Sequence, residues 1–273
     1  MGRILALAVR FADLALARRL ERTEATASAK FVEARARVAP QCGAEWIEVA
    51  GAYAMFDGKD SPITQTFGLG MFAAPADADL DQLESFFNIR GASTSHEVSP
   101  LAGVELAATL VARGYKPIEF TSVMHRPVEA IVRDPNTRVT TRRLAAGEES
   151  LWSSLSADGW SENPELRDYL LELGIVVSAA DGAIAFLAEL DGDPIATGVL
   201  RCDDGVAMFA GASTIPSARN LGAQRALLEA RMNHAAQAGC DIAMMCAAPG
   251  SASQRNAERQ GFRIAYTRTK WSK

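Results

Sequence analysis

A basic turn that contains a glycine lies between a strand-like segment and a helical segment in the second half of the chain. Residues 208–215 read MFAGASTI, Pro216 ends that strand, and residues 219–224, RNLGAQ, lead into a helix predicted over residues 220–238. The first amides of a helix have no partner inside it, and the helix dipole adds partial positive charge there. With Arg219 beside them, these amides predict a site for an anionic, phosphate-like group.

A second polar motif lies closer to the C-terminus. Residues 251–262, SASQRNAERQGF, begin with small polar residues, continue as a short helix and end at Gly261 and Phe262, where a final strand is predicted. Ser251 and Gln254 have the spacing of a capping box, in which side chains bond the free amides at the start of a helix. This segment therefore predicts a well-defined helix start near the C-terminus.

In this order, with strands between them, the two motifs resemble those of the GNAT family of N-acetyltransferases. The family's phosphate loop, Q/R-x-x-G-x-G/A after a strand and a proline, is matched by residues 219–224. Its later helix, which ends in E-K/R-x-G-F, is matched by residues 258–262. The resemblance covers residues 138–273, and it implies an enzyme that transfers an acetyl group from acetyl-CoA to the amine of a small molecule by direct attack on the thioester.

The resemblance also implies a set of cofactor-binding residues. The end of the strand would pair its backbone with the pantetheine amides, the turn and the helix start would hold the pyrophosphate, and the later helix would add polar contacts. Asn256 fits either a cofactor contact or a solvated helix position. The residues implied are Ser213, Thr214, Ile215, Arg219, Asn220, Leu221, Gly222, Ala223, Gln224, Arg225, Ser253 and Asn256.

Several departures from the family pattern keep other functions open. Gln224 stands where the family prefers Gly or Ala, and Ala257 stands where it often has a Tyr that protonates the leaving thiolate. No carboxylate occurs in residues 206–215, where many members carry one. The alternatives are a non-catalytic sensor or scaffold that binds CoA or acyl-CoA, and a pseudo-enzyme that binds other proteins.

The sequence leaves the catalytic residues unassigned and indicates no metal site. Asp203, Asp204 and Glu162 are candidate bases because they are expected near the cleft, although plain surface charges are the favoured interpretation. His234 lies on the long helix, where a solvated or packed histidine is favoured. Water could also relay the proton. Cys246 has no basic neighbour in its apolar run, which favours a buried structural thiol over an acyl-enzyme nucleophile.

Three aromatic residues precede the turn in segments predicted to be helical. Trp152, Trp160 and Tyr169 lie in the helices that would cover the acceptor side of a GNAT-like site. They either line an acceptor pocket or belong to the core.

The composition excludes several classes of protein. The chain has 273 residues, 48% of them hydrophobic, and a net charge of −5, which argues against nucleic acid as the main partner. Its four cysteines form no metal-ligand pattern and no disulfide framework, which favours a reduced, cytoplasmic protein. No apolar run approaches the roughly 20 residues that span a bilayer, so we expect no membrane partner. We also expect a monomer or homodimer.

The order of predicted elements and an internal repeat indicate the fold. Residues 67–87 align with residues 208–228, and residues 110–126 align with residues 257–271. The predicted fold class is α/β, an α+β mixed sheet, with two GNAT-like domains in tandem over residues 1–130 and 138–273. Each domain is expected to have a central, mostly antiparallel sheet flanked by helices.

The first copy of the repeat lacks the chemistry of a phosphate site. Its turn carries carboxylates at Asp77, Asp79 and Asp81, where the second copy has neutral residues, and Ala78 stands in the place of Arg219. Carboxylates suit the positive end of the helix dipole and would repel a pyrophosphate. The first half is therefore predicted to be a degenerate, structural copy, and the cofactor site is expected in the second half alone.

Overall fold

The first element that the structure describes is a long helix that ends before a proline. The computed structural model describes residues 11–132, 137–162 and 167–273. Helix α1 spans Leu14–Val38, and the carboxylate of its N-cap, Asp13, accepts the amide of Leu16 at 2.8 Å. The alternation of apolar and charged residues over 13–38 predicts one or two helices, and the structure has one. The strand that the sequence predicts before it lies outside the described residues.

The rest of the first half alternates strands and helices. The strand predicted over residues 63–72 and the helix predicted over residues 101–115 are both shorter in the structure. Left-handed glycines interrupt them: Gly68 and Gly70 follow β3, and Gly103, at φ +94°, precedes α3. The elements are β1 (Glu45–Val49), β2 (Ala52–Phe56), β3 (Gln65–Phe67), α2 (Asp77–Asn88), β4 (Ser95–Val98), α3 (Val104–Ala112) and β5 (Lys116–Pro127).

The sequence pattern of the second half predicts the order β-α-α-β-β-β-α-β-α-β, and the structure has this order. Asp134, Pro135 and Asn136, which predict a turn between the halves, lie outside the described residues. The elements are β6 (Val139–Arg143), α4 (Glu149–Asp158), α5 (Arg167–Ala179), β7 (Ala183–Leu190), β8 (Asp193–Asp203), β9 (Val206–Thr214), α6 (Ala223–Gln237), β10 (Ile242–Ala247), α7 (Ala252–Arg259) and β11 (Arg263–Ser272).

Strands from both halves form one sheet, and the halves exchange their last strands. Among the described residues the sheet has the order β1-β2-β3-β4-β11-β5-β10-β9-β8-β7-β6. The last strand of the first half, β5, pairs with β10 of the second half, while β11 pairs with β4 of the first half. The mixed α/β class is confirmed, and the two sheets expected from the sequence are joined through β11 and β5.

The two halves share one succession of elements. In the first half β3, α2, β4, α3 and β5 follow one another, as β9, α6, β10, α7 and β11 do in the second. The strands that flank the central helix are parallel neighbours in both cases, β3 with β4 and β9 with β10. A parallel pair joined by a helix is the usual solution for a connection that must cross the sheet.

Helices cover both faces of the sheet. Val123 and Met124, consecutive residues of β5, point to opposite faces. Val123 packs in a core cluster with Leu16 and Leu20 of α1, and Met124 packs in another cluster with residues of α6 such as Leu227. Helix α1 therefore lies on one face over the centre of the sheet, and α6 lies on the other. None of the described helices is long and apolar enough to cross a membrane.

Candidate functional site

The predicted anion-binding turn is open to solvent and holds two left-handed residues. Asn220 has φ +64° and Gly222, the N-cap of α6, has φ +89°. A Cβ placed on Gly222 would have no atom within 4 Å. The glycine is therefore required by its backbone angle, and a ligand can approach the helix start closely.

The amides of this turn are the main feature that fits a phosphate. In the described parts of the chain, Ala226 is the first residue of α6 whose amide bonds a backbone carbonyl, that of Gly222 at 3.0 Å, and the amides of residues 220–225 have no acceptor. Unpaired amides at the positive end of a 15-residue helix form an anion-binding site. The residues present thus fit a pyrophosphate group.

The two arginines of this turn lie at the surface in ion pairs. Arg219 donates to Glu162 at 2.7 Å and to the carbonyl of Gly159 at 3.0 Å, and Arg225 donates to Glu229 at 2.8 Å. The side chains of Arg219 and Glu162 are 39% and 67% exposed. Exposed pairs of this kind contribute about 0 to 1 kcal/mol, so an anionic ligand could recruit these cations.

Two parallel strands separate next to the turn. Pairing between β9 and β10 joins Val206 to Ile242 and ends at Met208 with Met244. Beyond that point β9 continues against β8 as far as Thr214, and β10 continues against β5 as far as Ala247. The two strands therefore leave a wedge whose open end lies towards the start of α6, where an extended ligand could bond backbone groups.

A β-bulge and a buried arginine shape the β9 side of the wedge. Between the pairs formed by Thr197 with Ser213 and by Val199 with Ala210, β9 has one extra residue, and Gly211 has φ +60°. Arg231 of α6, which is 3% exposed, donates from one nitrogen to the carbonyls of Val199 and Ala210. Its burial lowers the pKa of the guanidinium to about 10, and it remains charged at neutral pH.

The end of β9 is fixed by side chains that were predicted to contact the cofactor. Ser213 donates its hydroxyl to the carbonyl of Ser156 in α4 at 2.8 Å. Gln224 donates from Nε2 to the carbonyl of Ser213 at 3.0 Å and to Thr214 Oγ1 at 2.8 Å. Gln224, the departure from the family pattern, thus ties the start of α6 to the end of β9. The next amide, that of Ile215, bonds the carbonyl of Ile195.

Helix α7 begins as the sequence predicts. Ser251 is the N-cap, and its hydroxyl accepts the amide of Gln254 at 3.1 Å, while Gln254 Oε1 accepts the amide of Gly250 rather than that of Ser251. Ser253 and Asn256 are exposed, and Ala257 is 2% exposed in the core shared with α6. The position of the family tyrosine is therefore filled by a buried methyl group.

The candidate bases lie away from the wedge or are occupied. Asp203 and Asp204 form the turn between β8 and β9, at the end of β9 opposite to Thr214. His234 accepts from Arg143, and both burial and that arginine lower its pKa. None of these side chains is placed for proton transfer at the wedge. Trp152 is a core residue, 1% exposed, whereas Trp160 is half exposed.

A buried charged cluster that sequence reasoning missed lies on the α1 face, beside the wedge. We call it the α1 cluster. Arg268 donates to Glu24 at 2.7 Å and lies 3.5 Å from Glu21 and 3.4 Å from Glu97. Tyr266 donates to Glu21 at 2.8 Å, and the Cys246 thiol donates to Glu24 at 3.3 Å. Its members are Glu21, Glu24, Glu97, Cys246, Tyr266 and Arg268.

Burial dominates the protonation of the α1 cluster. It raises the pKa of Glu97 to about 7 and also raises the pKa of Glu21, against the opposing effect of Arg268. Burial and the nearby Glu24 hold the pKa of the Cys246 thiol well above its usual range. Cys246 is thus a protonated donor, as its apolar neighbours in the sequence indicated, and not an activated nucleophile.

The signal for this cluster was weak in the sequence. Glu21 and Glu24 are three residues apart and share a helix face with apolar residues, and Arg268 lies on the strand face of Tyr266. These positions mark charged residues that point inwards. Their mutual contact depends on pairing between the two ends of the chain, which spacing alone does not reveal.

The corresponding turn of the first half is filled by its own ion pairs. Asp79 accepts the amide of Ala76 at 2.8 Å. Arg113 bonds Asp77, Asp81 and Glu84, the last at 3.0 Å. These contacts occupy the carboxylates that the sequence placed at the start of α2.

Comparison with known proteins finds a family match in the part of the chain that holds the candidate site. Residues 147–262 match the acetyltransferase (GNAT) family. No curated protein sequence matches the chain. The matched range contains the turn, the wedge and the start of α7.

Solved structures share the fold over most of the chain. A GCN5-related N-acetyltransferase from Kribbella flavida is 17% identical, with a TM-score of 0.63 over 90% of this chain and 95% of that one. Another from Sphaerobacter thermophilus is 15% identical, with a TM-score of 0.52 over 84% and 75%. A tandem GNAT protein from the clavulanic acid biosynthesis pathway is 12% identical, with a TM-score of 0.53 over 81% and 78%. At these identities the likeness concerns the fold, and the family match covers residues 147–262, which are less than half of the chain.

Proposed function

We propose that the protein is an acetyl-CoA-dependent N-acetyltransferase that transfers an acetyl group to the amine of a small molecule by direct attack on the thioester. The observation that carries this proposal is the run of unbonded amides over residues 220–225 beside the wedge between β9 and β10. Both features lie within the range that matches the family. A pyrophosphate cradle next to an opening between strands suits a long, anionic acyl donor better than a small anion.

Three elements of the second half would hold the donor. Amides from Leu221 to Arg225 would hold the pyrophosphate, with charge from Arg219. The backbone of residues 213–215 would line the pantetheine arm, and Ser253 and Asn256, both exposed on α7, would add polar contacts. The donor supplies an activated acetyl group, and an amide of β9 would polarise its carbonyl.

The first half has a different role in this proposal. We assign residues 1–130 to a degenerate GNAT-like domain and residues 138–273 to the catalytic one. The carboxylates of Asp77 and Asp81, which pair with Arg113, lie at the start of α2, where they would repel a phosphate. The free thiols at Cys42, Cys202, Cys240 and Cys246 suit the reducing cytoplasm.

Titration calorimetry with acetyl-CoA tests the donor site. The variant Gly222→Asp places a carboxylate at the cradle, and Gly222→Asn places a neutral group of the same shape at the same left-handed position. Two like charges about 4 Å apart near a surface repel by about 4 kcal/mol. We expect the Asp variant to lose at least tenfold in affinity relative to the Asn variant.

A distant glycine supplies the control, and turnover separates the functions. Gly43 is also left-handed with no atom within 4 Å of a built Cβ, so Gly43→Asp should bind acetyl-CoA like the wild type. Failure of the wild type to bind at high micromolar concentration would overturn the proposal. Release of free thiol with a panel of amines then distinguishes an enzyme from a protein that only binds the donor.

A further inference from the structure

The α1 cluster lies beside the wedge, on the face of the sheet that α1 covers. Cys246 follows Met244, the last residue of β10 that pairs with β9, and both belong to the α1 face. The start of α6 lies on the other face. Strands β9 and β10 separate beyond Met208 and Met244. A group bound in the wedge would therefore lie beside Cys246 and its partner Glu24.

The α1 cluster contains more carboxylates than cationic side chains. Three carboxylates, those of Glu21, Glu24 and Glu97, surround the single guanidinium of Arg268, and all four side chains are at most 12% exposed. Among the described residues, Glu21 Oε2, Glu97 Oε2 and Arg268 Nε are buried without a hydrogen-bond partner. Glu21 Oε2 and Glu97 Oε2 lie 3.5 and 3.4 Å from nitrogens of Arg268, so the three carboxylates share one guanidinium. Buried polar atoms are normally satisfied, and a second cationic donor would satisfy these acceptors.

We propose that Glu24 accepts the proton of a protonated primary alkylamine, the acceptor substrate, and that the three carboxylates of the α1 cluster, which share one guanidinium, select this cation. This inference rests on the proposed function, because it concerns the acceptor of the same transfer. It assigns a catalytic residue to helix α1, outside the range that matches the family.

Exposure singles out Glu24 among the three carboxylates. Its side chain is 12% exposed, whereas that of Glu21 is fully buried and that of Glu97 is 6% exposed. Glu24 Oε2 is held by Arg268 at 2.7 Å and by the Cys246 thiol at 3.3 Å. These two donors fix the orientation of the carboxylate, which a general base requires.

The proton and bond changes balance without any further reactant. The amine arrives as an ammonium and gives one proton to Glu24, its nitrogen then bonds the acetyl carbon, the carbon–sulfur bond breaks with its electrons on sulfur, and the second proton of the nitrogen passes to that sulfur. Glu24 returns its proton to solvent. No acid is needed at Ala257, which is a buried methyl group.

The pH dependence involves every charged group around the carboxylate. Glu24 is faced by Glu21 on its own helix, by Cys246 of β10 and by Tyr266 and Arg268 of β11, and Glu97, Lys270 and Glu119 extend the field. Burial raises the pKa values of Glu21 and Glu97, so the empty cluster holds protons that a cation would displace. Binding of the acceptor should therefore release protons near neutral pH.

The experiment compares Glu24→Gln with the wild type. Thiol release is measured with acetyl-CoA and a panel of primary alkylamines that includes benzylamine, 1,4-diaminobutane and L-lysine, with aniline as the neutral comparison. We expect turnover of alkylamines, about 10²-fold or greater loss of kcat in the variant, and a variant rate that rises steadily with pH towards the pKa of the free amine. Glu48→Gln, an exposed carboxylate on β1, is the matched control and should behave as wild type.

Each other outcome is decisive. If acetyl-CoA binds to the wild type but no protonated alkylamine of the panel is consumed, or if aniline is preferred, the inference is wrong while the donor site stands. Unchanged kcat in a folded Glu24→Gln variant would also overturn it. If acetyl-CoA itself fails to bind, the proposed function fails, and that result is distinguished by calorimetry on the wild type. Affinity of the variant for acetyl-CoA should stay within about twofold of wild type, which separates proton transfer from misfolding.

Discussion

Arg268, in the last strand, donates to Glu24, in the first helix, over 2.7 Å. The pair joins residues 244 positions apart in the chain at the centre of the sheet. Arg268 is held there by strand pairing, opposite Thr121 of β5. The C-terminal strand therefore completes the first half of the molecule, and it also positions the carboxylate that we assign to the chemistry.

Exchange of the last strands predicts that neither half folds alone as a monomer. Residues 1–130 would lack β11 between β4 and β5, and residues 138–273 would lack β5 beside β10. Each fragment would expose strand edges that the other normally covers, and such edges promote association. Expressed separately, the fragments should aggregate or self-associate, and mixing them during refolding should yield one particle by size-exclusion chromatography.

A cleavable full-length protein provides the control. A protease site inserted between residues 132 and 137 allows the chain to be cut after folding. We expect the cut halves to remain together through a single unfolding transition, because the pairings of β5 and β11 survive the cut. Two stable monomeric fragments that do not associate would contradict the prediction.

The local parts of the site could be predicted from the sequence. Gly222 and the unpaired helix start follow from residue type and spacing, because a left-handed glycine before a helix is a local feature. Ser251 was identified as an N-cap for the same reason. Nothing in the pattern of residues 209–214 predicts the separation of β9 from β10. Only the family resemblance indicates it.

The long-range parts could not be predicted. Strands β5 and β11 have similar patterns and occupy equivalent places in the repeat, so the sequence does not say which of them pairs with β10. The contact of Glu24 with Arg268 depends on that choice and on where α1 packs. Residue spacing determines faces and periods, whereas partners across hundreds of residues are determined by the whole sheet.

Gly159 is required where α4 meets the end of β9. A Cβ at this position would overlap Ser213 Oγ and lie 3.0 Å from the amide nitrogen of Thr214. Gly159→Ala should therefore lower the free energy of unfolding by about 1 to 3 kcal/mol and weaken acetyl-CoA binding, because the strand end must shift. Chemical denaturation and calorimetry measure the two effects.

A double-mutant cycle identifies the cause of that destabilisation. Ser213→Ala removes the overlapping hydroxyl and its bond to Ser156, so alone it should cost about 1 kcal/mol. Combined with Gly159→Ala, it should recover at least about 0.5 kcal/mol of the sum. Simple additivity of the two losses would show that the hydroxyl is not the obstacle.

His96 predicts a loss of stability in acid. Its ring is fully buried against Tyr115, and burial lowers its pKa from 6.5 to about 3. Below pH 6.5 the unfolded chain binds a proton that the folded state excludes, so the free energy of unfolding falls with decreasing pH by as much as about 1.4 kcal/mol per unit. In His96→Gln the free energy of unfolding should lack this dependence on pH between pH 6 and 4. A variant whose free energy of unfolding falls with pH as steeply as that of wild type would contradict the assignment.

Glu97, the next residue of β4, predicts the opposite slope. Burial on the α1 face raises its pKa from 4.5 to about 7, so between these values the folded protein binds a proton that the unfolded chain has lost. The stabilisation from this group is complete below pH 4.5 and is lost as the pH rises through 7. The side chain at position 97 cannot ionise in Glu97→Gln. The free energy of unfolding of this variant, relative to that of wild type, should therefore increase by up to about 1.4 kcal/mol per pH unit from pH 5 to 7 and stay constant above that range. Denaturant titrations at pH 5, 6, 7 and 8 measure the difference. A constant difference across this series would mean that Glu97 titrates alike in both states, and the carboxylate surplus around Arg268 would then be fully ionised in the folded protein.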